Sequence, residues 1–188
     1  GTLTADARIT HLVDKGEGRG ALVRVESDAS HSTGEKLFTG IMTIFARRDG
    51  GFGGSDRLPK EEIRIPERKP DEIVPDHPSP DQPLIYRLSG DRFDLHVDPA
   101  FARAAGFDRP LMHGLCTMGF ACRALVKALT PGAPGRIRRL KCRFSRPLYP
   151  GVPIETRIWK TGSNTALWRT RNGQTGDIVI DKGICEYR

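Results

Sequence analysis

Long apolar runs and paired cysteines are both missing from this sequence, and aromatic residues are scarce at 7%. No stretch approaches the roughly 20 consecutive apolar residues that a membrane-crossing helix needs, which excludes a helical span. The opening Gly1-Thr2-Leu3-Thr4 lacks the basic-then-apolar pattern of a secretory leader. The closing Cys185-Glu186-Tyr187-Arg188 is no recognisable targeting tail. These two absences lead to the expectation of a cytoplasmic location. Cys116, Cys122, Cys142 and Cys185 are scattered and form no Cys-x-x-Cys pair. No metal site is therefore expected, and the four are read as reduced, buried thiols. Gly50, Gly51, Gly53 and Gly54 cluster, but no Gly-Lys-Ser or Gly-Lys-Thr follows, so the phosphate-loop reading fails and a flexible loop tip is expected.

What is present begins with charge. The net charge is +7. Most basic residues are interspersed with acids, and no helix carries a basic face with aromatics between, which argues against nucleic acid. A positive field of this size suits a phosphate-bearing substrate, or no specific partner at all. The length, 188 residues, accommodates one large domain or two small ones.

The chain divides by pattern into three blocks. Residues 1–56 read as strands: Leu3, Ala5, Ala7 and Ile9 alternate with polar residues, and 21–26 and 37–45 are two more candidates. Residues 57–80 read as a charged, extended linker, since half of the fourteen prolines fall between Pro59 and Pro83. Residues 81–188 form the third block. Short helices are expected at 82–88 and 99–105, the second capped by Asp98 and opened by Pro99. A long helix is expected over 114–129, with Leu115, Met118, Cys122, Leu125, Val126 and Leu129 at helical spacing. Four strands follow, near 139–144, 153–160, 165–171 and 177–187. One long helix followed by antiparallel strands argues an α+β layer with the sheet wrapped around the helix.

The chemistry concentrates in Tyr86-Arg-Leu-Ser-Gly-Asp-Arg-Phe-Asp-Leu-His-Val-Asp98. Asp91 and His96 lie five residues apart after a Ser-Gly turn, close enough to share one water or one substrate proton. Pro110-Leu111-Met112-His113-Gly114-Leu115 leads into the long helix. A Gly114 amide at a helix start is a natural donor to a developing oxyanion. Asp91 is otherwise read as a turn residue, His96 as a core histidine and Gly114 as a packing glycine. His113 is read as a cap or buttress.

This segment resembles the enoyl-CoA hydratase 2 family, the MaoC-like dehydratases, whose pattern runs Tyr-x-Leu-Ser-Gly-Asp-x-Asn-Pro-Leu-His and later His-Gly-Leu. The match is close from Tyr86 to Cys116 and looser elsewhere. Phe93-Asp94 stands where that family has Asn-Pro. The resemblance implies a hot-dog fold, an antiparallel sheet wrapped around a long central helix. It implies a partial first hot-dog half at the N-terminus, with strands only, and a catalytic hot-dog domain over 81–188. It also implies hydration of trans-2-enoyl-CoA to (3R)-hydroxyacyl-CoA within fatty acid metabolism. His96 would act as base toward water, Asp91 as the group that protonates the α-carbon, and the Gly114 amide as oxyanion donor. No cofactor is expected, because coenzyme A is part of the substrate.

Arg139, Lys141, Arg143 and Arg146 are candidate contacts for its phosphates, and Met118 and Phe120 candidate walls for the acyl chain. Each has a plainer reading, as solvated strand face or ordinary core. A hot-dog thioesterase and a degenerate acyl-CoA-binding subunit are the alternatives. The expected partners are an acyl-CoA thioester and either a second copy of the chain or a chain or segment that supplies the first half's missing helix.

Overall fold

The computed structural model describes residues 2–59 and 61–188, and the chain separates into two compact units, Gly1–Glu61 and Glu62–Arg188. The first is a three-stranded antiparallel sheet of β1 (Leu3–Asp14), β2 (Ala21–His31) and β3 (Lys36–Ala46), in that order. Cross-strand rows Ala5–Ala29–Phe38, Ile9–Val25–Met42 and Leu12–Val23–Ile44 place one face's apolar side chains side by side. Ile9, Leu12, Phe38, Met42 and Ile44 on that face are exposed, and no helix covers it among the unit's described residues.

The glycine cluster is not a free loop tip. The Asp14 carboxylate accepts hydrogen bonds from the amides of Gly53 (2.6 Å), Gly16 (2.7 Å) and Gly51 (2.8 Å). Those donors, Gly51 foremost, hold its acid below the usual carboxylate range. A β-carbon on Gly50 would run into the Gly16 carbonyl, so the close approach of the two loops requires glycine there.

The second unit contains β4 (Glu72–Asp76), α1 (Gln82–Tyr86), α2 (Pro99–Ala104), α3 (Gly114–Leu129), β5 (Ile137–Phe144), β6 (Ile154–Gly162), β7 (Thr165–Asn172) and β8 (Ile178–Tyr187). The strands form one antiparallel sheet, β4-β6-β7-β8-β5, and α3 packs on it. Cys116, Ala121 and Leu125 of α3 meet Ile154, Ile158, Trp168, Val179 and Ile180 of the sheet, all buried. This is the α+β layer that the pattern of one helix and following strands argued, in the hot-dog arrangement that the resemblance implied.

The buried stripe of α3 is rotated from the predicted one. Cys116, Thr117, Ala121, Ala124 and Leu125 face inward, whereas Leu115 is half exposed. Small side chains let the helix axis lie close to a curved sheet, so bulk alone misplaces the face.

The stretch read as a linker is more tightly held than its composition suggests. Ile63 is buried, the Arg68 carbonyl accepts from the Trp159 indole at 2.8 Å, and β4 pairs with β6. Pro75 is tolerated because β4 is an edge strand, where a missing amide removes no ladder bond. Asp71 fastens the segment further. It receives a two-pronged Arg68 guanidinium at 2.8 and 2.9 Å and the Lys160 amide at 2.7 Å. These contacts, Arg68 first, bring its pKa down to about 2.

Candidate active site

The chain from Gly90 to His113 folds back so that Asp91, His96 and His113 meet. Gly90 has φ of +122°, a conformation open to glycine that turns the chain after the short 3₁₀ turn Arg87–Ser89. The Asp91 carboxylate then accepts the Phe93 amide at 3.3 Å, an Asx turn that fixes the side chain locally. A second 3₁₀ turn, Asp94–His96, carries the imidazole. Asp98 caps α2 through the amides of Ala100 (2.7 Å) and Phe101 (3.2 Å), as its position before Pro99 predicts.

Nδ1 of His96 lies 2.9 Å from the Leu111 carbonyl. A carbonyl only accepts, so Nδ1 carries the proton and Nε2 presents a lone pair. One ligand-type atom each from Asp91, His96 and His113 lies within 4.8 Å of the others. A single water bridges such a gap with two ordinary hydrogen bonds, each about 2.8 Å. The same spacing also suits a metal ion. The two imidazoles, however, are stacked at 3.7 Å between centroids and 26° between planes. Lone pairs in nearly parallel rings point alongside one another and do not converge on a tetrahedral centre.

Gly114 opens α3, with His113 as its cap in extended conformation. Its amide belongs to the first helical turn, which has no intrahelical acceptor. A β-carbon there would meet the Phe144 ring at 3.2 Å, so glycine admits that ring. Beside His96 opens a cleft of about 230 Å³ lined by Pro80, Pro83, Leu84, Val97, Arg109 and Pro110. The Arg109 guanidinium sits 4.8 Å above the Tyr149 ring.

The other sequence-derived candidates lie elsewhere. Arg139 pairs with Glu186 at 2.8 Å, Arg146 pairs with Asp177, and Lys141 and Arg143 lie exposed on β5. Met118 and Phe120 pack against the sheet core, and the Arg123 guanidinium covers the Phe120 ring at 4.9 Å. The four cysteines are free, and burial pushes their thiols up, to about 11 for Cys142 and Cys185.

Phe93 turns its ring edge toward His96 at 6.1 Å and toward Phe101 at 5.3 Å, while Asp94 is exposed. Two residues carry more of the site than the sequence suggested. His113 is almost fully buried, and the Tyr86 ring lies 4.8 Å from it. Burial raises the Tyr86 phenol, with lesser effects from Cys116 and Asp91. Tyr86 opens the recognised motif, which was the one available signal.

A carboxylate and two imidazoles gather at the N-terminus of a sheet-wrapped helix in a hot-dog protein. The chain belongs to the MaoC-like family: the family model described as MaoC like domain matches residues 62–183. It is 40% identical over 188 residues to "Probable enoyl-CoA hydratase 2" of Dictyostelium discoideum, covering 98% of this chain and 63% of that protein. It is 39% identical to "Peroxisomal multifunctional enzyme type 2" of Mus musculus, covering 99% of this chain and 25% of that protein. The crystal structure of a MaoC-like dehydratase from Phytophthora capsici superposes with a TM-score of 0.94 at 36% identity, covering all of this chain and 63% of that one. The chain thus spans less than two thirds of the length of these relatives.

Proposed function

We propose that the chain is a hydro-lyase that adds water across trans-2-enoyl-CoA to give (3R)-hydroxyacyl-CoA. The observation that carries this is the convergence of Asp91 with a His96 whose Nε2 is free to accept a proton. His96 takes a proton from water as the water oxygen bonds to the β-carbon. The Asp91–His96 pair delivers one proton to the α-carbon, so it ends the cycle as it began. The Gly114 amide holds the charge that develops on the thioester oxygen. The chemistry calls for no metal and no organic cofactor beyond the coenzyme A of the substrate, and dialysis against a chelator is expected to leave turnover unchanged. The name of the Dictyostelium relative, an enoyl-CoA hydratase 2, supports the same substrate class.

Crotonyl-CoA is the test. Loss of enone absorbance, reduced on the order of a hundredfold or more in Asp91→Asn and in His96→Ala, is the expected result. Release of free thiol, or wild-type turnover in both variants, overturns the reading.

The exposed apolar face of the first unit supports a partner as well. A helix supplied by another chain or segment, or a second copy of the chain, covers it in the working assembly. Light scattering that finds a monomer with no affinity for an apolar dye would contradict this.

A further inference from the structure

His113 is drawn into both halves of the acid–base pair, and its environment is unusual for a packing residue. Its ring is 1% exposed, lies face to face with His96, and touches Tyr86 on another side. Nε2 lies 3.2 Å from the Asp91 main-chain carbonyl. That acceptor places the proton on Nε2 and leaves Nδ1 as a lone pair. Nδ1 is buried with no hydrogen-bond partner among the described residues. An orphaned buried acceptor is a liability for stability, and a plain aromatic ring of similar shape would avoid it. A residue kept there only to fill space has no need of its nitrogens.

We infer that His113 is a positioning residue for the proposed hydration: its Nε2–H anchors the main chain of Asp91 while its ring face sets the plane of His96. The two contacts tie acid and base to one rigid support at the start of α3, the element that also presents the Gly114 amide. A misplacement of about 1 Å between reacting groups is enough to cost a hundredfold in rate. Asp91 is exposed and five residues from His96 on a segment of short turns, so a support from outside that segment is what fixes their separation.

His113 does not itself exchange protons in this scheme. The groups around it are His96, Asp91, Arg87 and Tyr86. Burial foremost, then the facing His96, push its proton affinity down, and the weaker pull of Asp91 does not reverse this.

The inference rests on the hydratase reading, so wild type and His96→Ala are assayed first on crotonyl-CoA. Failure there removes the reading itself, before His113 is tested. With activity established, His113→Phe keeps the ring and drops the donor, whereas His113→Gln keeps a donor and drops the ring. Each is expected to lower kcat about tenfold to a hundredfold with KM changed less than about threefold. His113→Phe is expected to melt at or above the wild-type temperature. The acid limb of the kcat–pH profile is expected to stay in place in both variants. Wild-type kcat in a folded His113→Phe would reduce His113 to packing and overturn the inference. So would loss of the acid limb in that variant, because His113 would then be the titrating base. Should Phe fail to fold, the kcat and KM of the Gln variant decide by the same criteria.

Discussion

Gly114 tests the oxyanion assignment more cleanly than either acid–base residue, because its amide can be removed without breaking the helix. It is the first residue of α3, and proline is well tolerated there. The extended conformation of His113, with ψ of 133°, is the one a residue before proline adopts. Gly114→Pro is expected to keep the helix, displace the half-exposed Phe144 ring, and lower kcat on crotonyl-CoA by on the order of a hundredfold or more. Circular dichroism beside steady-state kinetics checks both halves of the expectation. At this scale the sequence was informative where chemistry is local. Asp91 and His96 sit five residues apart, and Phe93 shows its departure from the family in the residue letter alone. It read His113 only as a cap or buttress of the helix, because the stack on His96 depends on two rings seventeen residues apart coming into contact.

Elements were legible wherever periodicity is strong. All three strands of the first unit, α3 and β5 to β8 fall near their predicted spans. β4 was hidden because three of the residues from Pro70 to Pro78 are prolines and the strand needs only one paired edge. The packing of β7 on β8 gives a test at this level. Gly183 lies opposite Trp168, which is fully buried, and a β-carbon on Gly183 would run into the indole. The indole is rigid and enclosed, so neither partner can yield. Gly183→Ala is expected to destabilise the second unit by about 1–3 kcal/mol, through overpacking, as measured by urea unfolding. Both tryptophans, Trp159 and Trp168, belong to this unit, so their fluorescence reports it selectively.

For the molecule as a whole, acid acts on the two units at different pH. The carboxyls of Asp14 and Asp28 in the first unit, and of Asp71 in the second, are held below their ordinary 3.8 by their hydrogen-bond donors. Stability from such groups is complete above that value and is lost as pH falls through the lowered one. His113 also has a lowered pKa, from an ordinary 6.5, chiefly through burial. The unfolded chain therefore takes up its proton first, and stability of the second unit starts to fall below about pH 6.5. Tryptophan-detected melting temperature is expected to drop between pH 7 and 5, and to drop less in His113→Phe. The far-ultraviolet signal of the first unit should hold until below pH 4. The sequence by itself determined the family and most of the elements, and it singled out Asp91 and His96, because each rests on spacing within a few turns of chain. The tertiary structure alone decided which His96 nitrogen is free, that Arg139 and Arg146 answer to Glu186 and Asp177, that residues 62–76 belong to the second unit with 72–76 as a strand of its sheet, and that His113 stacks on His96. Those outcomes depend on which distant groups compete for each donor and acceptor, and only the folded chain brings the competitors together.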